Sequence, residues 1–327
     1  MFNHVDSPQC SMSSCSICVC ATCVVALLAV SFALNVIMPS VLLGSLSSIK
    51  TQYNKSGKAW ALVTGTTSGI GTAFVKILAQ LGFNVAMIAR NELKLKEVKT
   101  EVEKLVNKAV KIEYFVIDLG RGEIMSPELL KFVSSNEISL LVNNAGLNTD
   151  YPKLLIDNSK DELESILHVN TSSLTLLTHA ILPSMVHRSN GLIINMSSLF
   201  GHLSGPLVSA YSGTKSYIDS FSMSLSEELR GSGVRVFCSL PGFVVTNMSK
   251  IRKTSFTVMS PEACVSNILK QVAGCQYTVI ACPHWTHAAI GWILNTLVPA
   301  WIRVRIIGNI NRGTNKAALR KAARLAK

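Results

Sequence analysis

Between Ser7 and Ile49 the chain carries no charged side chain. That absence excludes an ordinary solvated segment and leaves a membrane element. Within it, Ile17 to Met38 is apolar enough and long enough to cross a bilayer, which takes about 20 residues. No basic residue precedes the run, which excludes the charged first region of a cleaved signal peptide. The first cations, Lys50, Lys55 and Lys58, follow it. Positive charge marks the cytosolic flank of a span, so the expectation is an uncleaved anchor over 1–50 with the rest of the chain in the cytosol.

Acids are missing at the other end. After Arg303 there is none, while Arg303, Arg305, Arg312, Lys316, Arg320, Lys321, Arg324 and Lys327 supply eight cations. Taking these eight from the formal charge of +12 leaves +4 for everything else. The charge therefore gives no reason to read the central region as a nucleic-acid binder; the excess is a basic tail. Five of the nine cysteines, Cys10, Cys15, Cys18, Cys20 and Cys23, crowd the first 23 residues and include two C-x-x-C spacings. No histidine or carboxylate cluster accompanies them, so the expectation is no metal but membrane-proximal thiols, open to acylation. The scattered Cys238, Cys264, Cys275 and Cys282 suit a reducing compartment.

The chain has 327 residues, 48% of them apolar, enough for one large domain with appendages. From Trp60 an alternation of strand and helix begins. Trp60-Ala61-Leu62-Val63 reads as a buried strand, and Thr64-Gly65-Thr66-Thr67-Ser68-Gly69-Ile70-Gly71 leads into a helix with apolar positions at Phe74, Val75, Ile77, Leu78 and Leu81. Glycines in such a turn let the backbone approach a pyrophosphate, and the helix N-terminus faces its charge. The second strand, Asn84 to Ala89, ends in Arg90 where an acid would accept the ribose hydroxyls of NAD; an arginine there can hold the 2′-phosphate of NADP. Its plainer reading is a solvated arginine at a helix start.

Further strands are expected at Lys111 to Ile117 with Asp118 at the tip, at Ile138 to Val142, at Leu192 to Ile194, at Val234 to Ser239 and at Tyr277 to Ala281. A helical stretch from about Asp161 to His187 contains Asn170-Thr171-Ser172-Ser173, poor helix formers that mark a kink. Strand alternating with helix, joined by right-handed crossovers, is an α/β fold with a parallel, doubly wound sheet. Ligands then belong at the C-terminal strand ends.

The chemistry sits after the fifth strand. Ser197 and Ser198 close it, and Tyr211 and Lys215, four apart, share one face of the following helix. An ammonium stabilises the ionised form of a neighbouring tyrosine, and a serine at the strand end can hold a carbonyl oxygen while the tyrosine passes it a proton. That suits reversible carbonyl reduction with a hydride from a cofactor. Two substrate-side stretches, Leu199 to Ser209 and Met248 to Ser260, are apolar enough for a sterol or an acyl chain. From Trp285 to Lys327 a short uncharged helix with Trp285, Trp292 and Trp301 and the basic tail read as a membrane-apposed element, a lid over the substrate mouth, or a helix packed on the domain. Asn54, Asn170, Asn195 and Asn247 fit the glycosylation pattern, but a cytosolic domain makes all four chance matches.

From about Ala59 to Ala281 the chain resembles the short-chain dehydrogenases/reductases. The marks are Thr64-Gly65-x-x-x-Gly69-Ile70-Gly71, Asn143-Asn144-Ala145-Gly146, Ser198 with Tyr211 and Lys215, Asn170, and Pro241-Gly242 with Thr246. The resemblance implies a single Rossmann-like domain over 51–284, between the anchor and a membrane-associated segment over 285–327. It implies Tyr211 as acid in reduction and base in oxidation, and Lys215 as the group that lowers the Tyr211 pKa and binds the nicotinamide ribose. Ser198 would position the substrate carbonyl, and Asn170 would support a water-linked relay to Lys215. It assigns Gly65, Ser68, Gly69, Ile70 and Gly71 to the pyrophosphate, Arg90 to the 2′-phosphate, Asp118 to adenine, Asn144 to the adjoining ribose, and Val244 and Thr246 to the nicotinamide amide. NADP(H) is the cofactor expected.

Within the family the anchor, Ile88-Ala89-Arg90-Asn91 and Leu297-Val298-Pro299-Ala300-Trp301-Ile302 are similar to the microsomal branch of 17β-hydroxysteroid dehydrogenases and very-long-chain 3-oxoacyl-CoA reductases. Ala145, where that branch often has valine, and Thr66, where alanine is common, depart from it. The expected activity is reduction of a lipophilic ketone, a 17-ketosteroid or a long-chain 3-oxoacyl-CoA, at the endoplasmic reticulum membrane. Membrane lipid would be a partner, nucleic acid would not, and the chain could pair as a homodimer. An oxidative retinoid or other lipid alcohol dehydrogenase, and a catalytically silent lipid-binding or anchoring protein, are the alternatives.

Overall fold

The computed structural model describes residues 12–122 and 124–325, with side chains from 21 to 324 apart from Glu123. Cys10 and Lys327 thus lie outside the described residues. Seven strands form one parallel sheet: β1 (Trp60–Thr64), β2 (Asn84–Ala89), β3 (Ile112–Val116), β4 (Ile138–Asn143), β5 (Gly191–Met196), β6 (Val234–Ser239) and β7 (Ile280–Ala281). Their order is β3-β2-β1-β4-β5-β6-β7. β1, β2, β4 and β5 are buried at every position, as expected where helices cover both faces of a parallel sheet. The seventh strand is shorter than the sequence implies. Only Cys238 and Ser239 pair with it, and Tyr277 projects into solvent at 95% exposure.

The longer helices are α1 (Met12–Phe32), α2 (Leu46–Tyr53), α3 (Gly69–Gln80), α4 (Glu92–Glu103), α5 (Pro127–Ser135), α6 (Lys160–Leu167), α7 (Ser173–His187), α8 (Ser209–Glu228), α9 (Pro261–Gly274), α10 (Trp285–Thr296) and α11 (Ala300–Leu325). Several start on a side-chain cap. Asn91 accepts from Lys94 N, Ser126 from Leu129 N, Ser159 from Glu162 N and Ser260 from Ala263 N, each worth about 1 kcal/mol. Arg235 of β6 donates to the carbonyls of Val272 and Cys275 at the end of α9, where a cation meets the negative pole of a helix.

The kink expected near Asn170 is a π-helical turn, His168–Ser172, between α6 and α7. The extra residue per turn is stabilised locally: the Thr171 and Ser173 hydroxyls donate to the Leu167 and Val169 carbonyls. Such bulges form where a side chain must be aimed out of helical register, and here that side chain is Asn170.

Segments on both sides of the expected domain pack against it. Ile49 and Tyr53 of α2 are fully buried in the core cluster, so the packing runs on through residue 51 into the helix before it. Before it, Ala21–Val41 is a 21-residue apolar helix of mean hydropathy 2.3 and almost wholly exposed, with Val25 and Leu27 about two-thirds open or more. At the other end Thr286, His287, Ala288 and Gly291 of α10 are buried, so α10 packs on the domain. Asn54, Asn170 and Asn195 are buried and hydrogen-bonded, which leaves no room for a glycan on three of the four sequons.

Candidate active site

The sheet order reverses between β1 and β4, and the crevice beyond those strand ends is where such folds bind dinucleotides. Thr64 organises it: its hydroxyl accepts from Asn144 N at 3.0 Å and Ala145 N at 2.9 Å. The Asn144 side chain donates to the Thr64 and Gly65 carbonyls at 2.8 and 3.2 Å. Asn144 therefore ties the glycine turn to β4 through its amide nitrogen, a structural role beside the ribose contact the resemblance implies.

The turn fits a pyrophosphate. Gly65 and Gly69 lie in the left-handed region, at φ +69° and +58°, which glycine adopts without penalty. A Cβ on Gly71 would stand 2.1 Å from the Gly65 carbonyl oxygen, so the helix and turn approach as closely as backbone allows. Ser68 caps α3 without a side-chain hydrogen bond, and no acid occupies its first turn, leaving N–H groups and the positive helix pole for an anion. Ile70 flanks them, half-buried. The Thr66 hydroxyl is buried beside this turn with no protein partner, the sort of orphan a ligand or water satisfies.

Arg90 stands exposed at the end of β2, just before the cap of α4, and no carboxylate pairs with it among the described residues. Asp118 beyond β3 uses one oxygen to cap the next turn, accepting from Gly120 N at 3.0 Å, and the other lies 3.6 Å from Arg121. After β6, Phe243–Val244 pairs with Val258–Met259 as a small two-stranded ladder. Val244 is buried there, and Thr246 folds back so that its methyl lies 3.0 Å from where a Gly69 Cβ would be. The last loop thus closes against the first.

Ser198, Tyr211 and Lys215 come together at the end of β5. Ser197 and Ser198, alternatives in the sequence, point apart. Ser197 Oγ donates to the Lys215 carbonyl at 3.0 Å, whereas Ser198 Oγ accepts from Phe200 N at 3.2 Å and lies near enough to Tyr211 to act on its pKa. Lys215 lies over the Tyr211 ring, 5.6 Å from its centroid, and its ammonium donates to the Met196 carbonyl at 2.7 Å. Burial raises the Tyr211 pKa and the Ser198 hydrogen bond opposes it, so the phenol is held protonated at neutral pH. The lowering expected from Lys215 is not among the causes of this shift, which is upward through desolvation. Burial also pulls Lys215 down to about 8, against the charges of Cys238 and Asp219.

Asn170 accepts from Leu147 N at 2.7 Å and donates to the Leu147 carbonyl and to Thr214 Oγ1 at 3.0 and 2.9 Å. Thr214 in turn donates to the Tyr211 carbonyl at 2.7 Å. A Cβ on Gly146 would sit 3.5 Å from Lys215 Nζ and 3.8 Å from Asn170 Oδ1. Gly146 is therefore where the loop after β4 meets the π-turn carrying Asn170 and the helix carrying Lys215.

Two supports were not legible beforehand. Thr214 sits inside the Tyr211-Lys215 interval, but nothing in its spacing marks it. His287 of α10 accepts from Gly242 N at Nδ1 (3.2 Å), and its Nε2 bonds the Thr257 carbonyl at 2.8 Å. Nε2 is therefore the protonated nitrogen of a neutral ring, and burial, helped by His284, pushes its pKa down. A Cβ on Gly242 would fall 2.8 Å from this ring, so that glycine and His287 fit as a pair. Among the described residues no three His, Cys, Asp or Glu side chains cluster as a metal site.

The sequence profile for short chain dehydrogenase matches residues 59–255. A very-long-chain 3-oxoacyl-CoA reductase of Homo sapiens is 36% identical over 80% of this chain and 82% of its own length. One from Coprinopsis cinerea is 33% identical over 90% and 88%. A solved short-chain dehydrogenase from Sphingobium yanoikuyae in complex with NADPH superposes with a TM-score of 0.59 at 25% identity, over 69% of this chain and 87% of that one.

Proposed function

The chain belongs to the short-chain dehydrogenase family, oxidoreductases of CH–OH and C=O groups that take a nicotinamide cofactor, and from that premise we propose that it reduces long-chain 3-oxoacyl-CoA thioesters with NADPH. The observation that carries the reading is the convergence of Ser198, Tyr211 and Lys215 at one strand end. The named activity of relatives 33–36% identical over most of their length supports it.

Gly65, Ser68, Gly69, Ile70 and Gly71 hold the pyrophosphate, and Arg90 supplies the charge that prefers a 2′-phosphate. Asp118, Asn144, Val244 and Thr246 flank the remaining parts. Bound NADPH supplies the hydride. Ser198 holds the 3-oxo oxygen beside Tyr211. The Tyr211 hydroxyl, kept protonated by burial, gives its proton to that oxygen as negative charge develops there. Lys215 places a positive charge beside the tyrosinate left behind, which favours the transfer. Asn170 fixes the Leu147 backbone next to Lys215 and so orders the path by which the proton is replaced from solvent.

The apolar helix Ala21–Val41 spans the endoplasmic reticulum membrane in this reading. Lys50, Lys55 and Lys58 hold the catalytic domain on the cytosolic side.

The deciding experiment measures NADPH consumption by the detergent-solubilised chain, offered a long-chain 3-oxoacyl-CoA beside a 17-ketosteroid, with Tyr211→Phe as blank. Turnover of the acyl-CoA, lost in the blank, is expected. Turnover of the steroid alone, or silence on both with NADPH still bound, rejects the reading.

A further inference from the structure

Away from the reacting centre, α11 roofs a cavity of about 260 Å³ whose lining includes Tyr151, Lys153, Leu154, Leu207, Asn315 and Leu319. Lys153 and Leu207 also line a second hollow that reaches Tyr211, so the two spaces adjoin. The roof is fastened on both sides: Asn315 donates to the Pro152 carbonyl at 2.7 Å and Asn311 to the Pro206 carbonyl at 2.8 Å. The walls beneath it are joined by Lys153 N donating to the Leu207 carbonyl at 2.8 Å. Within the cavity Lys153 is neutralised by Glu162 at 2.7 Å, and Asp157 also lines it. A phosphate is unwelcome inside, whereas leucines beside an amide and a phenol suit a long chain of methylenes and amides.

The rim is different. Leu319 lines the cavity; Arg312 and Lys316, at i−7 and i−3 from it on α11, fall by helical spacing beside the same face, and Arg320 continues the row one turn after Lys316. All three cations are exposed. No acid follows Arg303 in the sequence, and among the described residues none of the ion pairs engages them. Among the described residues, a trough with no free cation inside thus lies beside cations that form no ion pair (Arg312 donates to Asn309 Oδ1 at 2.8 Å). It matches a ligand with an uncharged arm and a polyanionic end.

We propose that this trough is the handle site for the coenzyme A half of the substrate: the pantetheine arm lies under α11, and the phosphates rest on Arg312, Lys316 and Arg320. The inference rests on the 3-oxoacyl-CoA reading and adds a second point of recognition to it. A guanidinium or ammonium on phosphate makes charge-assisted hydrogen bonds, and at an exposed rim these weaken as salt rises.

The test compares one 3-oxoacyl chain on three carriers: coenzyme A, pantetheine (the arm without nucleotide) and N-acetylcysteamine (neither). For the full chain, Arg312→Gln/Lys316→Gln/Arg320→Gln is expected to lower kcat/KM for the CoA ester relative to the N-acetylcysteamine ester roughly tenfold, as three exposed charge pairs would. The salt sensitivity of that ratio should disappear. Leu319→Trp, which fills the trough, should penalise the CoA and pantetheine esters against the N-acetylcysteamine ester. Ratios unchanged in both variants overturn the proposal. So does a triple variant that loses binding to phosphatidylserine vesicles while its CoA ratio stays that of the parent, since the row then serves lipid headgroups. Parent protein that reduces none of the three thioesters while reducing a 17-ketosteroid defeats the acyl-CoA reading itself, a different result.

Discussion

Ser197 and Ser198 are neighbours with opposite tasks. Ser197 Oγ is consumed by the Lys215 carbonyl, and Ser198 faces Tyr211. Ser198→Ala should therefore cut kcat by about 10²-fold or more, within the range of lost acid–base assistance and positioning. Ser197→Ala should show chiefly as lost stability of about 1 kcal/mol, one hydrogen bond's worth, in thermal denaturation. Equal kcat for the two variants would dismiss the distinction. Which serine faces the tyrosine depends on the twist at the end of β5. Sequence spacing favoured Ser198 only through the family's habit.

Lys215 gives a pH signature. Its proton leaves at about 8 in the folded protein and near 10.4 in an unfolded chain, so between those values the folded state binds fewer protons. Stability supplied by this group therefore rises with pH across that window, the buried charge being a cost below it. Activity runs the opposite way, because the ammonium beside Tyr211 is lost as pH passes about 8. The reductive kcat profile should fall above that point. In Lys215→Arg, always charged, the low residual rate should show no such limb; a limb that persists in the arginine variant would assign it to another group.

At the scale of elements, most of the frame was readable. Strand positions followed from apolar runs that a two-sided parallel sheet requires, and the π-turn from the poor helix formers at Asn170 to Ser173. The misreadings have physical sources. β7 is two residues long because only the tip of β6 reaches it, which no local pattern encodes. The placing of α10 was open, since its apolar stripe serves a membrane or a protein surface equally. What settles it is His287, whose partners Gly242 and Thr257 are 45 and 30 residues away. This contact makes α10 a clamp on the loop carrying Val244 and Thr246. His287→Leu and Gly242→Ala should each raise the Kd for NADPH several-fold in a fluorescence titration, with Tyr211 chemistry intact once cofactor is saturating. Unchanged Kd in both would reduce the clamp to packing alone.

For the whole molecule, the composition separates three parts that the structure shows packed together. Before residue 50 the chain is already fastened to the domain: Gly44 N–H donates to the Lys270 carbonyl at 2.9 Å. Truncation to residue 51 removes Ile49 from the core and should cost about 2–5 kcal/mol, the scale of emptying a large apolar site. Truncation to Val30, which keeps Ser31, Phe32 and Pro39 on Trp292 and Gln271, should leave the melting temperature of the domain nearly unchanged. Two similar melting curves would place the border at residue 50.

The same junction has a mechanical meaning. A Cβ on Gly44 would lie 2.5 Å from the Ala273 backbone, and one on Gly274 would lie 2.1 Å from the Leu42 carbonyl. Gln271 donates to the Pro39 carbonyl, and Trp292 of α10 reaches Ser31 at 3.1 Å and packs edge-on against Phe32. No loose tether separates stalk from body. With the stalk in a bilayer the catalytic mouth keeps one height and one tilt above the lipid, as a drill press holds its bit. Its rate should then respond to bilayer thickness, which tilts the stalk, where a leashed enzyme would respond only to the length of its leash.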